Sequence, residues 1–582
     1  MILQSLTAYY ETLAAQGRLD RPGWAGAKIS YALQINGEGE LEQVILLKYE
    51  QERGKKKVLV PREISLPAPA KRTVGIAANF LWDNASYILG VDDKGKPQRS
   101  RECFACCRKL HHQLLDGVDS PAARAVLCFF DRWEPEKAAL HPALQTDWED
   151  ILASANLIFR YNSSFVHEDP LLREAWQAHY DAAGDGPETV CLVTGKKGAA
   201  EAVHPSIKGV AGAQSSGAAL VSFNAPAFCS YGREQNLNAP TSKYAAFAYT
   251  AALNYLLADR EHTFRIGDTT VVFWAEDGGV AYQDFWEGFA LGTSSYSAED
   301  LSKMAKDLSE GRDVFYDEAR LDPEMDFYIL GLAPNAARLS VRFFLRNTFG
   351  GFLKNVRRHH ERMEIVHPAS DTFETIPLWK MMEETVNQKS KEKSPSPHLT
   401  GETLRAILTD TRYPAGLRNA VTLRIRADRE VTRGRAAILK AFYLKAPHPD
   451  IPNPEEVFTV SLKTDSTSVP YNLGRLFSVL EAVQSAANPG INATIRDKYF
   501  TAASATPSRV FPTLISLAQK HMRKMDKGLR INYEKKLTEI LSHFDQAYPD
   551  RLSLPQQGAF QLGYYHQTQA RYQTKKEEKE NG

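Results

Sequence analysis

The residues that could do chemistry lie in a polar segment between Cys191 and Leu257, which combines amides, hydroxyls, lysines, glycines and aromatic rings with few acidic groups. Amides and hydroxyls can bond base edges, lysines can contact phosphates, and glycines let a backbone approach a duplex closely. The pattern predicts binding of a nucleic-acid polymer rather than catalysis. The candidate residues for reading a base motif are Lys208, Gln214, Ser215, Ser216, Asn224, Tyr231, Gln235, Asn236 and Asn238. The alternative is an Asn- and Gly-rich loop system that caps a sheet.

A second, smaller group of polar residues lies upstream, among the apolar neighbours of Phe80–Gly90. Asn79, Asn84 and Ser86 are either satisfied polar residues of a core element or groups placed near nucleic acid. The residue types alone leave both interpretations open.

Basic residues are concentrated in the second half of the chain, although the whole chain carries a formal net charge of only +1. Val421–Lys445 holds seven basic residues against two acidic ones, and Tyr471–Ala570 holds twelve against seven. Two such clusters in one half favour phosphate contact, whereas a single cluster is usually a solvated helix face. The candidate phosphate-binding residues are Arg424, Arg426, Arg433, Arg435, Lys520, Arg523, Lys524 and Lys527.

Three groups of residues that suggest metal or nucleotide chemistry lack part of the required pattern. Cys103, Cys106 and Cys107 precede two histidines, but no second CxxC supplies the remaining ligands of a structural zinc site. Thr194-Gly195-Lys196 lacks the upstream glycine and the following hydroxyl residue of a phosphate loop. The compact His/acid groups at 167–169 and 359–361 do not by themselves make carboxylates converge on an ion. The sequence therefore predicts no catalytic residue, no metal and no cofactor.

Composition is that of a globular protein in a reducing compartment. The 582 residues are 43% hydrophobic and 24% charged, and the six cysteines are irregularly spaced. No apolar run approaches the length of a membrane span, and the N-terminus has no signal-peptide pattern. We therefore expect a cytoplasmic protein that is not associated with a membrane.

The elements that must position these residues follow an α+β pattern. Residues 1–388 read as a mixed region, with hairpins predicted at Ile29–Ile35/Leu41–Leu47 and Phe327–Leu332/Leu339–Leu345 and a helix over Pro170–Tyr180. Further strands are predicted at Val58–Val60, Val190–Val193, Ala219–Phe223 and Thr270–Trp274. Residues 389–402 read as a linker or exposed loop, 403–470 as a basic connecting region, 471–570 as an all-helical bundle, and 571–582 as a disordered tail.

Long phrases of the chain resemble one family. The stretch IKGVAGAQSSGAALVSFNAPAFCSYGREQNLNAP (207–240), followed by YAAFAYTAALNYLL and IGDTTVVFWAE, is similar to the large subunit of the type I-C CRISPR interference complex. FLWDNASYILG (80–90) and Tyr471–Met525 are similar to further parts of the same subunit, so the resemblance spans nearly the whole chain.

The resemblance implies a non-catalytic subunit of a crRNA-guided complex in antiviral defence. It implies that the region 1–388 recognises the protospacer-adjacent motif in duplex DNA and contacts the crRNA 5′ end and the backbone subunits. The subunit would help to open the duplex, stabilise the R-loop and recruit a helicase-nuclease that acts in trans. The helical bundle would lie along the nucleic-acid-facing side and would also be made as a small subunit by internal translation of the same gene. Two alternatives from the residues remain: a metal-dependent nucleic-acid-processing enzyme, and a scaffold without DNA contacts.

Overall fold

The computed structural model describes residues 1–53, 56–70, 72, 75–153, 155–182, 187–291, 297–368, 370–371, 373–391, 393–545 and 547–580. The chain divides into two compact units: unit 1 comprises Met1–Pro205 and Val221–Leu253, and unit 2 comprises Ser206–Leu220 and Asn254–Gly582. A mixed α/β N-terminal region is followed by a helical C-terminal region, which confirms the predicted fold class. Across the described ranges, no helix combines the length and the apolar character that a membrane crossing requires.

Unit 1 is built on a small mixed sheet and three separate two-stranded ribbons. Its strands are β1 (Trp24–Ile29), β2 (Tyr31–Ile35), β3 (Leu41–Leu46), β4 (Tyr49–Arg53), β5 (Lys56–Val60), β6 (Arg62–Pro67), β7 (Trp82–Asn84), β8 (Asn156–Tyr161), β9 (Ser164–Phe165), β10 (Glu188–Val190) and β11 (Lys197–Ala199). The sheet has the order β3-β2-β8-β7, with β9 also paired to β8. The antiparallel β2–β3 pair, with Ile35 opposite Leu41, confirms the first predicted hairpin.

Helices cover this sheet over a core of aliphatic and aromatic side chains. They are α1 (Ile2–Ala15), α2 (Ala85–Ile88), α3 (Pro97–Leu115), α4 (Pro121–Arg132), α5 (Trp148–Leu152) and α6 (Pro170–Ala182); α7 (Lys243–Ala258) begins in unit 1 and continues into unit 2. The predicted helix at Pro170 is confirmed, and Asp169 caps it by accepting a 2.9 Å hydrogen bond from the Leu171 N–H. Phe129, Phe130 and Phe159 are fully buried and pack edge to face, so burial of these rings holds α4 on β8.

Unit 2 contains an antiparallel four-stranded sheet. The sheet has the order β12-β13-β16-β17, with strands β12 (Thr263–Ile266), β13 (Thr269–Ala275), β16 (Asp326–Asn335) and β17 (Arg338–Thr348). The strands β14 (Val314–Tyr316) and β15 (Ala319–Leu321) form a separate two-stranded ribbon. The β16–β17 pair confirms the second predicted hairpin. Its register shifts between Gly331 and Leu332, so that Arg342 has no partner in the ladder. The Phe344 ring, two residues further on, stacks against Trp274 and Tyr328.

Two of the predicted strands are wrong in part or entirely. Ala219–Phe223 forms no strand, and only Ala219 makes a single bridge, to Arg338. The strand predicted at Val190–Val193 ends at Val190, because Cys191 starts the turn that joins β10 to β11. Both stretches lie beside Gly-, Ser- and Pro-rich sequence, which favours turns over ladder pairing.

The helices of unit 2 form one layer on the sheet and a bundle beyond it. They are α8 (Val280–Trp286), α9 (Ala298–Ser309), α10 (Phe349–Met363), α11 (Leu378–Glu383), α12 (Pro397–Leu408), α13 (Ala415–Asp428), α14 (Arg433–Lys445), α15 (Pro454–Val457), α16 (Val469–Ala487), α17 (Ile495–Ala505), α18 (Pro507–Met522), α19 (Lys527–Leu541) and α20 (Leu554–Glu580). α12 begins inside the range predicted as a linker, capped by Ser396. α20 extends to Glu580, within the range predicted as a disordered tail, and the Lys and Glu residues of that range are strong helix formers.

The bundle is organised around α16, which is buried along almost its whole length and packs closely along α20. The Tyr443 hydroxyl on α14 donates to the Leu554 carbonyl at 3.2 Å, and the Tyr565 hydroxyl donates to the Val366 carbonyl at 2.7 Å. The bundle and the helices before it therefore share one hydrophobic core within unit 2.

Candidate nucleic-acid interface

The first part of the predicted motif-reading segment is an exposed loop with a firmly held base in unit 2. Ile207 and Ala218 pair as an antiparallel bridge with hydrogen bonds of 2.9 and 2.8 Å. Gly217 has a φ of +102°, and a Cβ there would come within 2.7 Å of the Ser206 Cβ, so this position requires glycine. The Lys208 N–H donates to the Asn254 Oδ1 at 2.8 Å. The base of the loop is thus fixed. The side chains exposed on the loop are those of Lys208, Gln214, Ser215 and Ser216.

The second part of the segment belongs to unit 1, and its amides divide into two kinds. Asn224 and Gln235 are exposed, and Tyr231 is fully exposed. Asn236 is only 3% exposed, so it cannot reach a base in this conformation. Asn238 accepts from the Ser230 N–H at 2.8 Å and donates to the Arg233 and Gln235 carbonyls. The structure therefore gives Asn236 and Asn238 internal positions and leaves the other candidates of this part at the surface.

Asn79, Asn84 and Ser86 serve the fold of unit 1. The buried Asn79 accepts from the Ala70 N–H at 3.0 Å, while its own N–H donates to Asp83. Asn84 caps α2 by accepting from the Ser86 N–H at 3.1 Å. Burial raises the pKa of Asp83 even though Arg72 donates a hydrogen bond to it, and this carboxylate lies at the centre of the group. The structure therefore gives Asn79 the position of a satisfied core residue and Asn84 that of a helix cap, while Asn84 and Ser86 remain partly exposed.

The four arginines predicted to bind phosphate are engaged within unit 2. Arg424 pairs with Asp428, and Arg426 donates to the Gln557 Oε1 at 2.7 Å. Arg433 pairs with Asp371 at 3.0 Å and also donates to two backbone carbonyls. These arginines do not form an exposed cationic surface, because each donates to a group of unit 2: a carboxylate one turn away for Arg424, an amide oxygen for Arg426, and a carboxylate distant in sequence for Arg433.

Arg435 is the most deeply buried of the four, with a side chain that is 3% exposed. It bonds Asp428 at 2.5 Å and Glu384 at 3.2 Å. Burial alone would raise the pKa of Asp428, but hydrogen bonds from Arg424 and Arg435 hold it below its usual value. Burial raises the pKa of Glu384 against the opposing effects of Thr432 and Arg435. Arg435 thus bridges two carboxylates inside the protein.

The other predicted phosphate ligands surround a turn rather than lying along one helix. α18 ends at Met522, and Asp526 starts α19 by accepting from the Leu529 N–H at 2.9 Å. The four cations therefore do not share one helix, because the Asp526 cap begins a new helix. All four side chains are exposed: Lys520, Arg523, Lys524 and Lys527.

The cysteine and histidine groups occupy structural positions. His111 is buried against Phe80 and Phe130, its Nε2 accepts from the Leu81 N–H at 2.9 Å, and burial lowers its pKa to about 4. The His359 Nδ1 lies 2.7 Å from the Tyr413 hydroxyl in the interior of unit 2. Within the residues that the structure describes, no three His, Cys, Asp or Glu side chains are grouped so as to hold a metal ion.

One exposed cation next to the candidate surface was not predicted. Arg233 lies two residues from Tyr231 and is exposed on the same turn. Its signal in the sequence is its position beside an aromatic residue in a Gly- and Ser-rich turn, a combination that nucleic-acid surfaces use.

Comparison with known proteins identifies the family. The family model for the CRISPR-associated protein Cas_Csd1 matches residues 6–572. No curated protein matches the chain. Because the match covers nearly every element described above, this chain belongs to the Cas_Csd1 family of CRISPR-associated proteins.

Proposed function

We propose that this chain is the non-catalytic large subunit of a type I-C crRNA-guided surveillance complex. In this proposal it recognises the protospacer-adjacent motif in duplex DNA, helps to open the duplex, stabilises the R-loop and recruits a helicase-nuclease in trans. Its other partners are the crRNA and the backbone and 5′-end subunits of the complex. The observation that carries the proposal is the set of exposed polar side chains on the anchored 207–218 loop, in a chain of a CRISPR-associated family.

The chemistry of this loop suits motif reading. In guided complexes, base pairing to the guide reads the long target sequence, and the protein needs to read only a short flanking motif. Hydroxyl and amide groups bond base edges directly, and a fixed loop base limits the conformational entropy lost on binding. On this loop the exposed candidates for this role are Gln214, Ser215 and Ser216, with Lys208 as a candidate phosphate contact. Asn224 and Gln235 are further exposed candidates, in unit 1.

Substitution of the exposed candidates should relax motif preference. We expect alanine at a residue that bonds a base to weaken binding of the preferred motif by about 1–3 kcal/mol, or about 5- to 160-fold, and to flatten the preference at one position. The measurement is binding of the assembled complex to target duplexes that carry a randomised flanking motif. Gln43→Ala and Ser302→Ala, at exposed positions outside the segment, are the controls. Unchanged discrimination in every variant would place the reader elsewhere in the chain.

The cationic turn between α18 and α19 should contribute to affinity without contributing to sequence preference. Replacing Lys520, Arg523, Lys524 and Lys527 with glutamine should flatten the dependence of log K on log salt by about 0.9 for each lost duplex phosphate contact, or about 0.7 for a single strand. Binding isotherms at several salt concentrations would measure the slope. Lys303→Gln with Lys306→Gln, on the exposed face of α9, is the matched control. A slope equal to that of the parent would show that this turn contacts no phosphate.

The same gene should also yield the helical bundle as a small subunit. No methionine occurs between Met382 and Met522, and a start at Met522 would remove α16, α17 and almost all of α18. We therefore expect a non-AUG start at Val457, Val460, Leu462 or Val469, just before or at the beginning of α16. Scaled from 65.1 kDa for 582 residues, the product of ~115–125 residues has a mass of ~14 kDa. Intact-mass analysis of complex expressed from the native gene, followed by synonymous recoding of these codons, tests the expectation; full assembly and activity with only the full-length chain would contradict it.

The non-catalytic role has its own test. The purified chain should leave single- and double-stranded DNA intact in Mg²⁺ or Mn²⁺, because in this proposal cleavage belongs to the recruited helicase-nuclease. Cleavage that depends on the divalent ion and co-purifies with the chain would favour the metal-dependent enzyme instead.

A further inference from the structure

Tyr231 occupies the tip of a turn whose backbone does not suit tyrosine. The Arg233 N–H donates to the Ser230 carbonyl at 3.0 Å, so Tyr231 and Gly232 are the central residues of a four-residue turn. Their φ angles are +55° and +67°, the combination of a type I′ turn. Asn, Asp and Gly are the residues that normally supply these angles, whereas a tyrosine loses folding free energy in the left-handed region.

The tyrosine ring does not offset this cost by packing against the rest of the protein. Its side chain is 100% exposed, so it buries no apolar surface in the protein. Backbone strain that the fold does not need is characteristic of functional positions. The turn thus displays one aromatic ring, free on both faces, at the surface of unit 1.

Asn238 holds this turn in place from the far end of the loop. Its Oδ1 accepts from the Ser230 N–H at 2.8 Å, and its Nδ2 donates to the Arg233 carbonyl at 3.0 Å and the Gln235 carbonyl at 2.9 Å. One side chain thereby fixes the residues before and after the strained tip. The ring is consequently presented by a preformed turn, which lowers the entropy cost of binding.

We propose that Tyr231 is a stacking residue for an unpaired nucleobase of the target DNA, and that Asn238 is its positioning residue. This inference rests on the proposed function, because duplex opening is what produces an unpaired base beside the motif. Every base has a π-face, so stacking on a tyrosine would hold a separated base whatever its identity. Arg233, exposed two residues away, supplies a cation for the adjoining phosphate. The residues next to the tip, Ser230, Arg233 and Glu234, are polar and exposed, whereas the core of a protein–protein interface is depleted of charged residues.

The variant Tyr231→Asn distinguishes the effect of losing the ring from the effect of changing the backbone conformation of the turn. Asparagine is favoured at this turn position, so the variant should unfold at a temperature no lower than the parent. It should nevertheless bind target duplex about 5- to 160-fold more weakly, the range for loss of one base–aromatic stack. Tyr231→Phe keeps the ring and should retain the affinity of the parent. Phe315→Asn, at an exposed aromatic residue on β14, is the matched control and should leave DNA affinity unchanged.

Photocrosslinking locates the contact directly. The assembled complex would be irradiated on target duplexes that carry 5-iodouracil at successive positions through the motif and the first opened bases, and adducts would be mapped by mass spectrometry. We expect an adduct on Tyr231 at one or two adjacent positions, absent from Tyr231→Asn while other adducts persist. An adduct only with 5-iodouracil in the guide RNA, or loss of a protein subunit from the Tyr231→Asn complex, would overturn the assignment to DNA.

A double-mutant cycle tests Asn238. Asn238→Asp keeps the acceptor for Ser230 and removes both donors, so it should weaken binding in the parent and have little further effect in Tyr231→Asn. Additive losses would mean that Asn238 does not act through the ring. Retained affinity in Tyr231→Asn, with motif-dependent binding intact, would overturn the stacking inference alone. A parent complex that ignores duplex motifs would instead overturn the proposed function.

Discussion

Replacing Gly474 with alanine is expected to disrupt the C-terminal bundle. α16 and α20 approach so closely that a Cβ on Gly474 would lie 1.9 Å from the Phe560 carbonyl oxygen and 2.8 Å from the Tyr564 nitrogen. Both atoms belong to the α20 backbone, so no side chain can rotate away to make room. The helices would have to separate and open the packing of fully buried residues such as Leu473 and Phe477. We expect a loss of about 3 kcal/mol or more, the upper end for overpacked cores.

The same contact can be tested from the other helix, and the chain offers a matched control. A Cβ on Gly563 would lie 2.1 Å from the Tyr471 carbonyl oxygen, so Gly563→Ala should be comparably destabilising. Gly401 lies in α12 with nothing within 4 Å of its added Cβ, and Gly401→Ala should stabilise the protein by up to about 1 kcal/mol. Denaturant unfolding followed by circular dichroism would measure all three variants. Equal midpoints for Gly474→Ala and Gly401→Ala would refute the close packing of α16 on α20.

Replacing Arg435 with methionine is expected to destabilise unit 2 rather than to change DNA binding through lost charge. The substitution leaves Asp428 with Arg424 alone and removes the cation beside Glu384 in the interior. Removing one partner from a buried ion-pair network costs about 3–5 kcal/mol, because the remaining charge stays desolvated. Arg429→Gln, at the exposed left-handed end of α13, should change stability by less than about 0.5 kcal/mol.

The difference in stability between the parent and Arg435→Met should decrease as the pH falls. The lowered pKa of Asp428 means that its contribution is present above the unfolded carboxyl pKa of about 3.9 and is lost as the pH falls through the lower folded value. Glu384, whose pKa burial raises, is protonated first on acidification and then no longer needs a cation. The protonation of Glu384 narrows the stability gap between parent and Arg435→Met above pH 4, and the protonation of Asp428 narrows the gap further only below about pH 3.9. A gap that is constant between pH 7 and pH 4, or a salt slope altered in Arg435→Met without loss of stability, would contradict the structural role.

Local features of the fold could be predicted because their causes are local in sequence. The Asn36–Gly39 turn sets the β2–β3 hairpin, Asp169 and Pro170 start α6, and the apolar periodicity of α16 ends before Asn488. In each case the residues that interact are only a few positions apart. The α+β class follows from such elements taken together, and the family resemblance adds the context of a CRISPR-associated protein.

The roles of the polar and charged side chains were decided by tertiary structure. Arg433 and Arg435 have the composition of a phosphate-binding cluster, but Asp371 and Glu384, some fifty to sixty residues earlier, lie against them in the fold. Asn238 and Gln235 are equivalent as amides in the sequence, yet one bonds the turn at Ser230 and the other is exposed. The sequence by itself determined the elements whose causes are local, such as the β2–β3 hairpin and α6, and the residue types that are candidates for binding nucleic acid. Only the tertiary structure decided which of those residues remain available at the surface. A polar group is buried or paired by residues that are distant in sequence, so the residues next to it in the chain do not indicate the pairing.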